Sequence, residues 1–378
     1  MPALPFLLRM LSVSRTPGGS LAGVRPGTRR KAPRALVWGT AIFVGTQLAL
    51  GVASELYPRI RDPLYGDKKV KLARRLPDDG PRPTTIVMLG SSRTGLAFHG
   101  KRVEERFAAD LGRPAVAFNM GVPASGPVTH LVYLNRLIDD GITPDFVLVE
   151  VLPSMIADRA DAPLEKHWLF ADRLRYGEQD TVIRHGFDAP SVRDRWWRSV
   201  VLPVHTLRFQ LLSRVAQSWL PWQARFDWSR GTDECGWGTS AVQQATADDR
   251  ALGLARASAE YGPILADLHP GGPAVGALRE LVQRCQGLNI PVRLVLMPEG
   301  SAFRALYSPA VNERLKRFLA DFTAELGIAP TVDARTWLDD EMFWDSHHML
   351  IRGAEAFSER LASEAIVPEF RDAAVKRR

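Results

Sequence analysis

From Thr84 onwards, short apolar runs alternate with helical patterns, and few folds are compatible with that alternation. The first run, Ile86 to Leu89, is bounded by turn residues, which predicts a short strand buried on both faces. Buried strands separated by helices are typical of a parallel sheet that helices cover on both sides. The sequence therefore predicts an α/β fold.

The predicted elements follow one another regularly on either side of a long interruption. Strands are predicted at 86–89, 116–119, 146–151, 292–297 and 331–333, and helices at 99–111, 127–139, 274–287, 309–326 and 353–366. The interruption, at about 155–270, is rich in tryptophan, and we predict a mainly helical insert there.

Five apolar residues of the insert would form one stripe on a helix. They are Val204, Leu207, Leu211, Val215 and Trp219. We expect this stripe to pack on the main domain. A lid over a substrate and a helix lying on a membrane are the two alternatives.

An uncharged run at 35–53 is about as long as a helix must be to cross a bilayer. Residues 1–34 form a basic tail in front of it, with Arg34 directly before the run. Because basic residues favour the cytoplasmic side, we predict a single-pass anchor with the amino terminus in the cytoplasm and the rest of the chain outside. A cleaved signal peptide is the first alternative, and an organelle transit peptide is the second.

The positive charge of the chain is confined to its amino-terminal part. The 378 residues carry a formal net charge of +7, and residues 1–54 contain seven basic residues and no acidic one. The remainder is therefore neutral, with 42 residues of each sign, which excludes the basic surface that nucleic-acid binding requires. The two cysteines, Cys235 and Cys285, form no metal motif, and a disulfide between them is left open.

The rest of the chain divides into three parts. Residues 54–83 contain several proline-rich loop signals and are predicted to be a linker. Within it, Lys68 to Leu76 are predicted to form a short basic helix, either with a solvated face or near the membrane surface. Residues 84–368 would form the main domain, and residues 369–378 a basic tail.

Two distant segments contain the parts of an acyl-transfer site. A Gly-Ser-Ser sequence at 90–92 follows the first strand, at the edge where open α/β sheets place their sites. A serine hydroxyl becomes a nucleophile only when a base lies near it. The segment Phe343 to Ala354 offers such a base, because Asp345 and His348 lie three residues apart in a polar loop ahead of the last helix.

With these two segments, the chain resembles the SGNH (GDSL-like) hydrolase superfamily over residues 84–154 and 271–367. In that family a Gly-Asp-Ser follows the first strand, and an Asp-x-x-His block precedes the final helix. The resemblance implies that Ser92 is the nucleophile, His348 the base and Asp345 the partner that orients the base.

The resemblance also implies a fold and a cellular setting. The fold would be a flavodoxin-like three-layer parallel sheet of the SGNH type. An anchor ahead of such a domain is similar to the bacterial cell-envelope branch of the superfamily, which includes alginate-acetylation proteins and a membrane protein that assists D-alanylation of teichoic acids. This similarity implies that the chain is located at the bacterial inner (cytoplasmic) membrane, and that its partner is an envelope polysaccharide or an acyl donor.

For the oxyanion hole, the resemblance implies the amide of Ser92 and a second amide from the block Asn119 to Gly126. The candidates for that second amide are Gly121, Ala124 and Gly126. The family's third block supplies an Asn side chain, but Val149 to Ser154 contain no Asn. Asn119 is the candidate substitute.

Four further residues are candidates for lining the cleft: Arg93, Glu299, Ser301 and His347. Arg93 would either hold an anionic substrate or pair with an acidic residue, and pairing is preferred. Glu299 and Ser301 follow the fourth strand, where a helix-capping loop is preferred over a role in lining the cleft. No Gly-rich phosphate loop or metal constellation is present in the sequence, so we predict neither a cofactor nor a metal.

Two functions remain open at this point. The first is a serine esterase or O-acyltransferase that passes an acyl group from Ser92 to water or to a sugar hydroxyl. The second is a non-catalytic SGNH-fold binding or assembly protein of the cell envelope, which the missing third-block Asn motivates.

Overall fold

A computed structural model describes most of the chain. The described residues are 32–77, 79–160, 162–169, 171–220, 231–238 and 243–376. The chain divides into two compact units, Met1–Thr46 and Gln47–Arg378. The predicted basic tail, 1–34, lies almost entirely outside the described residues.

Helix α1, Ala32–Leu56, contains the uncharged run that the sequence analysis identified. Its segment Pro33–Leu56 has a mean hydropathy of 1.6 and is almost wholly exposed. By length and composition it is a candidate membrane span, the one such helix among the residues that the structure describes.

The predicted linker is instead folded and packed. Helices α2, Pro58–Arg61, and α3, Pro63–Arg75, follow α1 directly. Three side chains of α3 belong to the main core: Leu64, Tyr65 and Leu72. Lys68 is also buried, and its Nζ donates hydrogen bonds of 2.7 Å to the carbonyl oxygens of Asn119 and Gly236. Lys68 is therefore not on a solvated face, because backbone carbonyls replace water around it, whereas Arg74 of the same helix is exposed.

Five parallel strands form one sheet in the order β2-β1-β3-β4-β5. They are β1 Thr84–Leu89, β2 Ala115–Asn119, β3 Phe146–Glu150, β4 Val292–Leu296 and β5 Val332–Asp333. The predicted α/β fold with a parallel sheet is confirmed. The strand order reverses between β1 and β3, and crevices at such switch points, outside the carboxyl ends of the strands, are where open α/β sheets bind their ligands.

Helices connect the strands and build the insert. In chain order they are α4 Ser92–Ala97, α5 Gly100–Leu111, α6 Pro127–Asp139, α7 Gln179–Arg184, α8 Ala189–Val201, α9 Pro203–Thr206, α10 Arg208–Val215, α11 Ala247–Leu265, α12 Gly272–Gly287, α13 Ser301–Arg304, α14 Pro309–Glu325, α15 Ile351–Leu361 and α16 Val367–Lys376. A π-helical turn, Ala362–Ile366, joins the last two. Residues 369–376, predicted to be part of a basic tail, are thus helical.

The sheet is buried on both faces, which gives the domain three layers. Val87 and Leu89 of β1 pack in the core formed with α6, α12 and α14. Ile86 and Met88, whose side chains alternate with these, pack in the opposite core with α5 and α15. This arrangement explains why the strand is apolar throughout rather than at every second position.

The apolar stripe of the insert is not a single packed face. Leu207 is fully buried, whereas Val215 and Trp219 are 82% and 80% exposed. The stripe is divided because α9 ends at Thr206 and α10 begins at Arg208. The expectation that the whole stripe packs on the main domain is therefore wrong.

Both cysteines are free and buried. Cys285 is a residue of α12 and lies in the main core, and Cys235 lies in the insert. Burial raises the pKa of each thiol to about 12. The disulfide that the sequence left open is not formed.

Candidate active site

The turn that carries Ser92 is built around a close backbone approach. The chain leaves β1 at Leu89, passes through Gly90 and enters α4 at Ser92. A β-carbon on residue 90 would overlap with Oγ1 of Thr94 and with the Glu150 carboxylate. Glycine is therefore required here by space rather than by backbone angle.

Glu150, at the end of β3, fixes this turn. Its carboxylate accepts hydrogen bonds from Ser91 N at 2.7 Å, Ser91 Oγ at 2.9 Å and Thr94 Oγ1 at 2.6 Å. Ser91 Oγ in turn accepts from Arg93 N at 3.2 Å and caps α4. Ser91 is thus held back in the protein while Ser92 projects from the first turn of the helix.

Replacing Glu150 by Gln should destabilise the protein and reduce any Ser92 chemistry. The carboxylate accepts from both sides of the turn, whereas a Gln amide would present N–H groups to donors. An unsatisfied buried donor costs about 1–3 kcal/mol, so the thermal midpoint should fall by several degrees. Calorimetry gives the thermal midpoint of Glu150→Gln and of the control Glu105→Gln, which changes an exposed carboxylate on α5. Equal midpoints for the two variants would contradict the anchoring role of Glu150.

The second half of the site is a short closed loop. An antiparallel bridge joins Phe343 to Met349, and Trp344 N donates to the carbonyl of His348 at 3.0 Å. At its tip, Ser346 adopts a positive φ of 75°. Such a conformation is costly for a residue other than glycine and is often kept at functional sites.

This loop brings the three predicted catalytic residues together. Ser92 Oγ lies 2.8 Å from His348 Nε2, and His348 Nδ1 lies 2.7 Å from Asp345 Oδ2. Asp345 Oδ1 also accepts from the backbone N–H of His348 at 2.7 Å. The carboxylate therefore shapes the loop and orients the ring with its two different oxygens.

Asp345 is held in its charged form. Burial alone would raise its pKa, but hydrogen bonds from His348 and the nearby imidazoles lower the pKa of the carboxyl to about 2. A carboxylate in this position accepts from Nδ1–H, and Nε2 is then free to accept a proton from a hydroxyl.

His347 lies in a buried aromatic environment, and the hydrogen bond of Ser92 Oγ goes to His348 instead. Its ring lies 5.1 Å from the ring of Phe303 and 4.2 Å from that of His348, centroid to centroid. Nδ1 lies 3.3 Å from the carbonyl oxygen of Asp345. Burial, followed by the neighbouring His348, lowers the pKa of His347 to about 3.

This buried histidine should make the protein sensitive to mild acid. The unfolded chain binds a proton at His347 near pH 6.5, whereas the folded state resists protonation down to about pH 3. The free energy of unfolding should therefore fall as pH drops below about 6.5, by up to about 1.4 kcal/mol per unit. Denaturant titrations between pH 6.5 and 4.5 give the free energy of unfolding at each pH. This free energy should depend less steeply on pH in His347→Asn than in the wild type, and an equal pH dependence would contradict the prediction.

The oxyanion candidates differ in whether their donors are available. Asn119 Nδ2 donates to the carbonyls of Thr94 and Phe98 at 2.8 Å each, so it cannot substitute for the third-block Asn. Gly121 N donates to Asn119 Oδ1, and Gly126 N donates to the Glu165 carboxylate.

Two amides remain. Within the described part of the chain, neither Ser92 N nor Ala124 N donates a hydrogen bond to the protein. Ala124 lines the same cavity as Ser92 and has a positive φ of 57°. Of the three candidates in the second block, Ala124 is the one whose amide is available to a ligand.

A cavity of about 470 Å³ opens over Ser92 and His348. The insert covers it with α11, whose Gly253 packs against Asp345 so closely that a β-carbon would overlap with that of Asp345. Trp168 and Trp344 also line the cavity, and Trp344 stacks on the His348 ring at 5.8 Å between centroids.

The four cleft candidates divide into two pairs. Arg93 and His347 line the cavity, whereas Glu299 and Ser301 do not. Arg93 is buried and forms an ion pair of 3.2 Å with Glu299, which is the pairing that the sequence analysis preferred. Ser301 donates to the carboxylate of Asp340 and begins the short helix α13, as a capping loop would.

One group of side chains in the described residues has metal-ligand character: Asp345, His347 and His348. Their ligand atoms lie within 4.8 Å of one another. However, both ring nitrogens of His348 already contact Ser92 and Asp345. The geometry therefore fits a hydrogen-bonded triad better than a coordination sphere.

Sequence reasoning missed two residues that shape the site. Glu150 had a detectable signal, since a carboxylate at the end of an otherwise apolar strand is unusual. Gly253 had none, because its role depends on how α11 packs on the loop of Asp345.

The fold and the site together define a class: an α/β protein with a Ser–His–Asp constellation at the carboxyl edge of a parallel sheet. A family model described as a protein of unknown function (DUF1574) matches residues 53–184. That match includes Ser92 and Glu150 but ends before the loop with Asp345 and His348. No curated protein matches the chain.

Proposed function

We propose that this protein is a membrane-anchored, extracytoplasmic serine esterase or O-acyltransferase of the SGNH type. The observation that carries the proposal is the chain of contacts from Ser92 Oγ through His348 to Asp345, with distances of 2.8 and 2.7 Å. These are the distances that a nucleophile and its base require.

The reaction has two halves. His348 Nε2 takes the proton of Ser92 Oγ as the oxygen attacks the carbonyl carbon of an ester. The ester bond breaks, His348 returns the proton to the leaving alcohol, and an acyl-serine remains. Water or a sugar hydroxyl then loses its proton to His348 and attacks the acyl carbon. The bond between that carbon and Ser92 Oγ breaks, and Oγ takes the proton back from His348.

The tetrahedral intermediates carry a negative oxygen that needs donors. The available amides of Ser92 and Ala124 are the proposed pair. This hole would lack the side-chain donor that the SGNH third block supplies, since Glu150 stands on that strand and Asn119 is bonded elsewhere.

An envelope glycan is the proposed acceptor or substrate. Trp168 and Trp344 offer flat apolar surfaces in the cavity, and Asp249, Arg256 and Glu260 of α11 offer polar groups around them. This combination suits a polar ring molecule better than a long acyl chain.

The alternative function is a non-catalytic SGNH-fold protein that binds or assembles envelope components. The observation that favours it is the missing side-chain donor of the oxyanion hole. The full chain, purified in detergent and incubated with a fluorophosphonate probe, separates the two functions. A covalent adduct on Ser92 supports the enzyme, whereas a folded chain that stays unlabelled supports the alternative.

The proposed topology has its own test. Basic residues precede α1, so the domain should lie outside the cytoplasmic membrane. Alkaline phosphatase fused after Arg378 should therefore be active in a bacterial host, because that enzyme folds only in the oxidising periplasm. If the phosphatase fusion is inactive and a cytoplasmic reporter fused at the same junction is active, the domain lies in the cytoplasm and the proposed orientation is wrong.

A further inference from the structure

Helices α8, α9 and α10 of the insert present large apolar side chains to solvent. The exposed residues are Trp197 (54%), Val201 (61%), Leu202 (43%), Val204 (39%) and Phe209 (38%). We call this the α8–α10 surface. Single exposed apolar residues are ordinary, but a cluster on consecutive helices marks a site of interaction.

The α8–α10 surface adjoins the second half of α1, within the same compact unit. Val204 N donates to Gln47 Oε1 at 3.2 Å. A β-carbon on Gly51 would lie 3.4 Å from the carbonyl oxygen of Val200, so the two helices pack closely. The exposed apolar cluster therefore begins beside Gln47 and Gly51, which are part of the candidate membrane span.

A basic cavity of about 530 Å³ lies in the same surface. Arg195, Arg198, Arg208 and His205 line it beside Leu202 and Phe209. The Arg208 guanidinium lies 4.3 Å from the centroid of the Phe209 ring. Arg198 is paired with Asp194 at 2.9 Å, and Asp172 is the one acidic residue among the described residues that line the cavity. Basic groups still outnumber acidic ones around the cavity, so it favours an anion.

We propose that the α8–α10 surface rests on the membrane and that its cavity receives the phosphate of an anionic phospholipid. Segments that lie in the membrane interface combine exposed aromatic and aliphatic residues with arginine. Aromatic rings prefer the level of the head groups, and basic pockets beside membrane helices bind anionic head groups.

Other occupants fit the surface less well. Free phosphate would neutralise the arginines but leave Trp197 and Val201 in water. A second copy of the chain would cover the apolar residues but place like charges against each other. An anionic phospholipid would both cover the apolar side chains and neutralise the arginines. This inference is independent of the proposed Ser92 chemistry.

Fluorescence quenching in vesicles tests the contact. The full chain carrying Val201→Cys is labelled with an environment-sensitive fluorophore, which is selective because Cys235 and Cys285 are buried. Ala320→Cys, at an exposed position on α14, is the matched control. With spin-labelled lipid, the probe at 201 should be quenched several-fold more than the probe at 320. Equal quenching at the two positions overturns the proposal.

The head-group assignment needs a charge test. Quenching at 201 should rise when phosphatidylglycerol is added to phosphatidylcholine vesicles. In Arg198→Glu/Arg208→Glu the contact should weaken by roughly fivefold per charge, while Arg284→Glu/Arg317→Glu, at exposed sites outside the surface, should leave it unchanged.

Three results would overturn the head-group assignment. The first is quenching that does not depend on phosphatidylglycerol or on the two arginines. The second is an increase in quenching by inorganic phosphate, at matched ionic strength in phosphatidylcholine vesicles, that is as large as the increase by phosphatidylglycerol. Crosslinking between labelled chains without lipid quenching would show that a second copy covers the surface.

Discussion

Ser92→Ala should abolish fluorophosphonate labelling and lower ester hydrolysis by about 10⁴-fold or more, the loss typical for removal of a nucleophile. The thermal midpoint should stay within about 2 °C of the wild type. The reason is that Ser92 Oγ contacts His348 and supports no buried backbone group. A burst assay with p-nitrophenyl acetate, together with calorimetry, measures both quantities.

Ser91→Ala is the matched control, because the two serines are adjacent and differ only in what they contact. Ser91 caps α4 and donates to Glu150, so its loss should cost about 1 kcal/mol of stability and leave the labelling intact. If the Ser91 variant loses the label and the Ser92 variant keeps it, the assignment is reversed. If the folded wild type takes no label, the non-catalytic function is the better proposal.

The layered fold was predictable because its signal is local. A strand such as Ile86 to Leu89 is apolar throughout since both of its faces are covered, and this property is visible in four residues. The positions of the helices between strands follow from their own periodicity. Pro127–Asp139 begins and ends where the pattern predicted it, because a proline opens it and the apolar spacing continues to Leu137.

The packing of α3 was not predictable by the same means. Lysine-rich segments usually face water, and nothing adjacent in the sequence indicates that carbonyls from Asn119 and Gly236 will surround Lys68. The burial of such a group depends on partners that lie 51 and 168 residues away along the chain.

The candidate site was also predictable only in part. Strand ends in a parallel sheet meet at one edge, so a serine after β1 and a loop after β5 could be expected to approach each other. The direction of each side chain could not be predicted, because it depends on contacts across the fold. Asn119 faces the carbonyl groups of α4 rather than the cavity, and Glu150 faces the nucleophile turn from a neighbouring strand.

His348→Ala should reduce ester hydrolysis by at least about 10⁴-fold at neutral pH. His348 is the one ring that joins Ser92 to Asp345, since Nε2 faces the hydroxyl and Nδ1 faces the carboxylate. Without it, Ser92 has no base to take its proton. Steady-state rates with p-nitrophenyl acetate, measured on the full chain in detergent, give the size of the loss.

His347→Asn is the control, because this neighbouring ring is buried among aromatic residues and does not contact Ser92. Its loss should change the rate by less than about tenfold and act mainly on stability. Added imidazole should restore part of the activity of His348→Ala, since the cavity beside the lost ring is open, and it should not help Ser92→Ala. If the two histidine variants exchange behaviour, His347 is the base; if imidazole restores neither activity nor labelling, the missing ring acts through the fold and not through the proton of Ser92.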